Sequence, residues 1–166
     1  VTVIASADTN KMPVVCAAVV GQQNNPLFLQ RYLPQHQLQH HQKFNALDEV
    51  KFHYMVHASL DAVEEKVLLR RTPGEVPELY LGLLYPTEEF RVYGYITNTH
   101  IKFVLVLDES VPNEAALQSL FRRLHMLWVD ASSNPLYSHG LPMTSLVFAQ
   151  GVAALVASYG SSSGGT

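Results

Sequence analysis

The amino-acid pattern predicts an α+β fold: one five-stranded antiparallel sheet with helices on both faces, in the order β-β-α-β-β-β-α-α. Three observations carry this. Two short apolar runs flank a turn near the start, a long stretch of helical periodicity follows, and three alternating strands lead into two more helical stretches. Short strands joined by tight turns pair antiparallel. Each helix must bury an apolar stripe, most simply on opposite faces of the sheet.

Val14–Val20 (VVCAAVV) is apolar and rich in β-branched residues, which predicts a buried strand. Gly21 to Pro26 (GQQNNP) is turn chemistry, and Leu27–Tyr32 reads as the second strand of a hairpin. From Leu47 to Leu69 the period is helical, with Phe52, Val56, Leu60, Val63 and Val67 on one stripe before Thr72-Pro73-Gly74 stops it. A meander follows at Leu79–Tyr85, Phe90–Thr97 and Ile101–Asp108. In its middle strand Phe90, Val92, Gly94 and Ile96 alternate with Arg91, Tyr93, Tyr95 and Thr97, predicting one apolar and one aromatic, polar face. Asn113 is placed to cap a helix whose stripe is Leu117, Leu120, Phe121, Leu124 and Trp128. Pro142–Tyr159 predicts the last helix, with Phe148, Val152, Leu155 and Tyr159 on one side and Leu146, Val147 and Val156 widening the apolar arc. So apolar a helix is expected to be largely buried, in this chain or against another.

One domain over 13–159 accounts for this pattern, with a flexible leader at 1–12 and a flexible tail at 160–166. Residues 33–46 (LPQHQLQHHQKFNA) are dominated by Gln and His without an apolar period, and are expected to form a mobile loop insert.

Hydrophobic residues make up 48% of the 166 and charged residues 15%, enough apolar side chain for a substantial core. The low charged fraction points to some apolar surface covered by a partner. Formal charge is −3, and no basic cluster exceeds Arg70-Arg71 or Arg122-Arg123. Nucleic-acid binding and attachment to an anionic membrane therefore lack their electrostatic footprint. Cys16 is the single cysteine, which fits a reducing compartment. Val14–Val20 is too short to span a bilayer and lacks the flanks of a signal peptide. A cytosolic protein is the expectation.

KFHYMVHASLD (51–61) holds the most suggestive polar pattern. With Val56 at the centre of the buried stripe, about 100° per residue puts His53 near 60°, His57 near 100°, Asp61 near 140° and Tyr54 near 160°. His53 and His57 have half the spacing of a zinc-protease helix, but Tyr54 stands where that motif needs glutamate, and no element presents a further ligand. The plainer expectation is a partly buried, hydrogen-bonded His53 and a His57 resting against Asp61, a pair worth about 0.3 kcal/mol. The functional alternative is a contact surface, with the aromatic Tyr54 beside the acid Asp61 on the outward face.

Other candidates weigh less. His36, His40 and His41 lie in the insert, where nothing fixes a ligand set. Cys16 sits in an apolar strand, the usual place of an inert thiol. Arg122 and Arg123, with His125 at the edge, follow the helix face opposite Leu120, Leu124 and Trp128, either as a solvated basic face or as a docking point for an acidic partner. Asn134-Pro135-Leu136-Tyr137 fits a turn ending a helix better than a phosphotyrosine-domain motif. Neither a G-x-G-x-x-G spacing at a strand–helix junction nor GKS/GKT occurs, so this does not look like a GTPase.

Three longer words carry a resemblance. KFHYMVHASLDAVEEK (51–66), ELYLGLLYPTEEFRVYGYITNTHIKFVLVLD (78–108) and LQSLFRRLH (117–125) with NPLY (134–137) resemble the first helix, the meander and the second helix and exit turn of the sedlin family of longin-like domains. The resemblance covers about residues 14–158; the Gln/His insert, the more apolar last helix and the two ends depart from it. It implies a longin-like (profilin-like) fold without catalytic residues or cofactors. It also implies a subunit of the trafficking protein particle (TRAPP) complex, a vesicle tether that activates Rab-type GTPases between the endoplasmic reticulum and the Golgi. The implied partners are other TRAPP subunits, with action on a Rab only through the assembly and no direct insertion into the membrane. The implied partner-binding residues are Tyr54, His57 and Asp61 on the first helix and Arg122 and Arg123 on the second. Two rivals stand beside this. A longin-type SNARE regulatory domain would be followed by a heptad segment and an anchor, whereas residues 161–166 are SSSGGT. A small metal-binding protein built on His53 and His57 would hold stoichiometric zinc.

Overall fold

The computed structural model describes residues 13–32, 46–69, 78–108 and 112–162. The expectations for the leader, for insert residues 33–45 and for the end of the tail lie outside the described residues.

The element order is β1 (Val14–Val20), β2 (Pro26–Arg31), α1 (Ala46–Leu69), β3 (Tyr80–Pro86), β4 (Phe90–Ile96), β5 (Lys102–Asp108), α2 (Glu114–Ser132) and α3 (Leu146–Ser162). The strands form one five-stranded antiparallel sheet in the order β2-β1-β5-β4-β3. The hairpin β1–β2 joins the meander β3–β5 by pairing β1 with β5, so two of the most apolar strands lie at the centre. Pro26 and Pro86 fall at ends of the edge strands β2 and β3, where a missing N–H is tolerated.

Alternation along the strands divides the core in two. Cys16, Ala18 and Val20 of β1, Val92 of β4 and Val104 and Val106 of β5 face α1, which supplies Phe52, Met55, Val56, Leu60 and Val63. Ala17, Val19, Tyr93, Tyr95, Phe103, Leu105 and Leu107 face α2 and α3. The helices thus cover opposite faces, as the strand pattern demands. The β4 face expected to be aromatic and polar is core as well. Tyr95 stacks on Phe121 with ring centroids 5.7 Å apart, and both Tyr93 and Tyr95 are buried. Tyrosine bodies bring large apolar area into this layer while leaving a polar tip to place.

Local chemistry sets the helix ends. Asn113 Oδ1 accepts from the N–H groups of Ala115 and Ala116, capping α2, and Leu117, Leu120, Phe121, Leu124 and Trp128 are its buried stripe. Asn134 then closes the exit turn: its Oδ1 accepts from the Leu136 N–H at 3.0 Å and its carbonyl from the Tyr137 N–H at 2.9 Å. α3 starts later than the sequence suggests, at Leu146 rather than Pro142, and runs beyond Tyr159 to Ser162. The Ser145 hydroxyl accepts from the Phe148 N–H, while Met143 instead donates its N–H to Leu27 O at 2.7 Å and straps the loop to β2. Phe148, Val152, Leu155, Val156 and Tyr159 are buried, but Leu146 and Val147 are 71% and 80% exposed. Burial of α3 begins where Phe148 meets Phe28 edge-on, so its first turn stays uncovered within this chain.

Candidate functional site

The face of α1 turned away from the sheet is built by the same periodicity that buries its core side. Tyr54, His57 and Asp61 are all exposed, Tyr54 to 68%. They form one outward strip, an aromatic followed by an imidazole and an acid. His57 does not rest on Asp61: among the described residues neither makes a hydrogen bond or ion pair with the other. His53 also departs from expectation, being exposed rather than partly buried, with no hydrogen-bond partner among the described residues.

The reason is a rotation of the helix. Met55 and Ser59 are buried, at 3% and 0% exposure. On the helical wheel they stand near −100° and −60° from Val56, so the buried arc is centred about 30° away from the His53 side. α1 approaches β3 and β4 most closely, which turns His53 and His57 towards β2 and leaves them uncovered. Ser59 meets the cost of burial by donating to the Val56 carbonyl at 2.7 Å.

Between α1 and the β1–β2 hairpin lies a groove of about 350 Å³. Ala18 and Val20 form its floor, Asn24, Pro26 and Leu29 line the strand side, and Val50, His53, Tyr54 and His57 line the helix side. Sequence reasoning found the helix wall and missed the strand wall. No sequence signal marked it, because the half-burial of Leu29 opposite Ala18 follows from the tertiary fold. At one end of the groove, buried Lys102 donates to Asn24 Oδ1, and Asn24 Nδ2 donates to Glu64 Oε1 at 3.1 Å. This chain ties the hairpin turn to α1 and fixes the groove's width.

Arg122 and Arg123 are exposed on α2, on the other side of the sheet. They do not meet Tyr54, His57 or Asp61 in one site; the two predicted sets are separate surfaces. Behind the arginines, His125 Nδ1 shares a 3.2 Å hydrogen bond with Tyr95 Oη. Burial holds the His125 pKa below the ordinary value of 6.5, favouring the neutral ring. His125 also borders a second depression, of about 640 Å³, with Trp128, Tyr137 and His139, which neither predicted set lines.

Chemistry at Cys16 is closed off. The side chain is fully buried, and desolvation pushes the thiol up to about 12, outweighing the opposing influence of Arg31. At neutral pH it is a protonated core residue. Among the described residues no three His, Cys, Asp or Glu side chains are grouped to hold a metal ion, and no helix is long and apolar enough to cross a membrane.

The chain is an α+β domain with an exposed helix strip beside a groove, and known proteins are similar to it in sequence. The family model described as Sedlin matches residues 19–158. The chain is 42% identical over 137 residues to the trafficking protein particle complex subunit 2-like protein of Xenopus tropicalis, covering 81% of this chain and 90% of the frog protein. It is 42% identical over 150 residues to the protein of that name from Dictyostelium discoideum, covering 87% and 97% of the two chains. A Pongo abelii protein of the same name is 32% identical over 135 residues, covering 81% and 87%. The chain belongs to the sedlin family.

Proposed function

We propose that this chain is a non-catalytic subunit of the TRAPP vesicle-tethering complex, acting in transport between the endoplasmic reticulum and the Golgi. The observation that carries this is identity to proteins named as subunit 2-like members of that particle, at 42% across nine-tenths or more of their length. Its work is to present surfaces: Tyr54, His57 and Asp61 of α1 to one neighbouring subunit, Arg122 and Arg123 of α2 to another. Aromatic–acid and basic strips of this kind set partner orientation and specificity. Separation of the strips across the sheet supports a bridging role, one neighbour per face. Action on a Rab-type GTPase would run through the assembly, and attachment to Golgi membranes through the other subunits.

The test is purification of the native chain from cytosol, identification of what accompanies it, and a nucleotide-exchange assay of the assembly on Rab GTPases. Co-purifying TRAPP subunits, with exchange that falls when this chain is removed, are the expected result. A chain recovered alone, or with SNARE proteins in place of TRAPP subunits, would refute the proposal.

A further inference from the structure

The groove beside α1 has a definite electrostatic character. Tyr54, His57, Asp61 and Glu64 stand near 160°, 100°, 140° and 80° on the helical wheel, and so lie on the outward half of α1, with His57 and Tyr54 bordering the groove. The lysines of the helix, Lys51 and Lys66, fall on the opposite side, and both are engaged there. Lys51 pairs with Glu89, and Lys66 donates to the carbonyls of Leu81 and Leu83 in β3. Neither cation offsets the acids on the groove side. Buried Lys102 is tied to Glu64 through Asn24 and feels its charge, so Glu64 is offset, whereas Asp61, one turn beyond the groove-lining His57, is exposed with no hydrogen bond or ion pair among the described residues. The groove itself is lined mainly by aliphatic and aromatic side chains, with Val50 and Tyr54 exposed on its rim. Its volume of about 350 Å³ suits one or two large side chains rather than a whole helix. Its strand wall is β2, which is an edge strand of the sheet among the described residues.

From this juxtaposition we propose that the groove seats a short segment of a neighbouring subunit, with one or two large apolar side chains on Ala18, Val20 and Leu29 and an adjacent Lys or Arg on Asp61. This rests on the proposal that α1 is a partner face and adds the chemistry of what it receives. Apolar anchoring in the groove provides the buried centre of the contact, and the acid at its end fixes the direction in which the segment lies.

Photo-crosslinking in the assembled complex tests it. A photo-reactive amino acid is placed at Pro26 on the strand wall, at Val50 on the helix wall, or at the exposed Glu65 on the outward face of α1. Each full chain is expressed in place of the native one, and its melting curve is checked. After irradiation the complex is isolated and the crosslinked peptides are sequenced. The proposal expects the Pro26 and Val50 positions to capture the same segment of another subunit, with a large apolar residue and a Lys or Arg within about three residues, the spacing an extended chain can bridge. Capture at position 65 with none at Pro26 or Val50 overturns the groove proposal while leaving α1 a partner face. Capture of an acidic segment, of a lipid, of this chain's own residues or of a second copy overturns it too. No capture at any position, although subunits co-purify, overturns both the groove and the partner face.

Discussion

Burial settles the chemistry of individual residues more firmly than residue type does. Cys16, a nucleophile by type, is held protonated by the apolar layer around it. His125 is held neutral in the same way, and the consequence is measurable. The unfolded chain takes up a proton near pH 6.5, the folded chain only at lower pH. Stability is therefore full above that value and falls as the pH drops through 6.5 towards the folded value. Urea midpoints between pH 8 and 5 should show this loss, and His125→Gln should flatten it; equal slopes in both proteins would remove His125 from the account. Asn113→Ala removes the Oδ1 acceptor of both capping hydrogen bonds and should cost about 1 kcal/mol in urea unfolding. Gly94 lies in close packing within the sheet, since a Cβ there would lie 2.5 Å from Leu84 Cδ1. Gly94→Ala should cost about 1–3 kcal/mol through overpacking.

Secondary-structure elements were legible because their periods are clean. The strands and α2 follow alternation and a 3.6-residue stripe closely, and the Asn113 cap was readable from residue type alone. The start of α3 was not, because Pro142 is acceptable in a first helical turn and only the strap from Met143 to β2 excludes that register. Rotation of α1 was also hidden. Both Met55 and His53 flank the stripe, and the choice between them depends on which strands the helix covers, a tertiary fact. It can be tested by truncation: Met55→Ala should cost about 2–5 kcal/mol, whereas His53→Ala should stay within about 0.5 kcal/mol. Comparable losses would mean that α1 sits differently on the sheet. The groove escaped notice for the same reason, since half of it belongs to the β1–β2 hairpin, and which side of α1 meets that hairpin is set by the tertiary packing.

On the scale of the whole molecule, the sheet separates two exposed strips, which the sequence assigned to two helices expected on opposite faces. Tyr54, His57 and Asp61 lie on the α1 side; Arg122 and Arg123 lie across the sheet on α2. Two neighbours on opposite faces would let this subunit join parts of an assembly without chemistry of its own. The helix strip was legible in the sequence through its outward angles and its resemblance to a family word. Its setting beside an apolar groove needed the fold.

Asp61→Tyr tests the central claim most directly. Asp61 is exposed and supports no contact within the chain among the described residues, so the domain should keep its melting temperature, with a stability change within about 0.5 kcal/mol. Recovery of TRAPP subunits with the variant, measured against the native chain, should fall at least about tenfold, a loss of roughly 1.4 kcal/mol of association free energy. Full recovery of those subunits by a variant that melts normally would contradict the account and remove α1 from the interface.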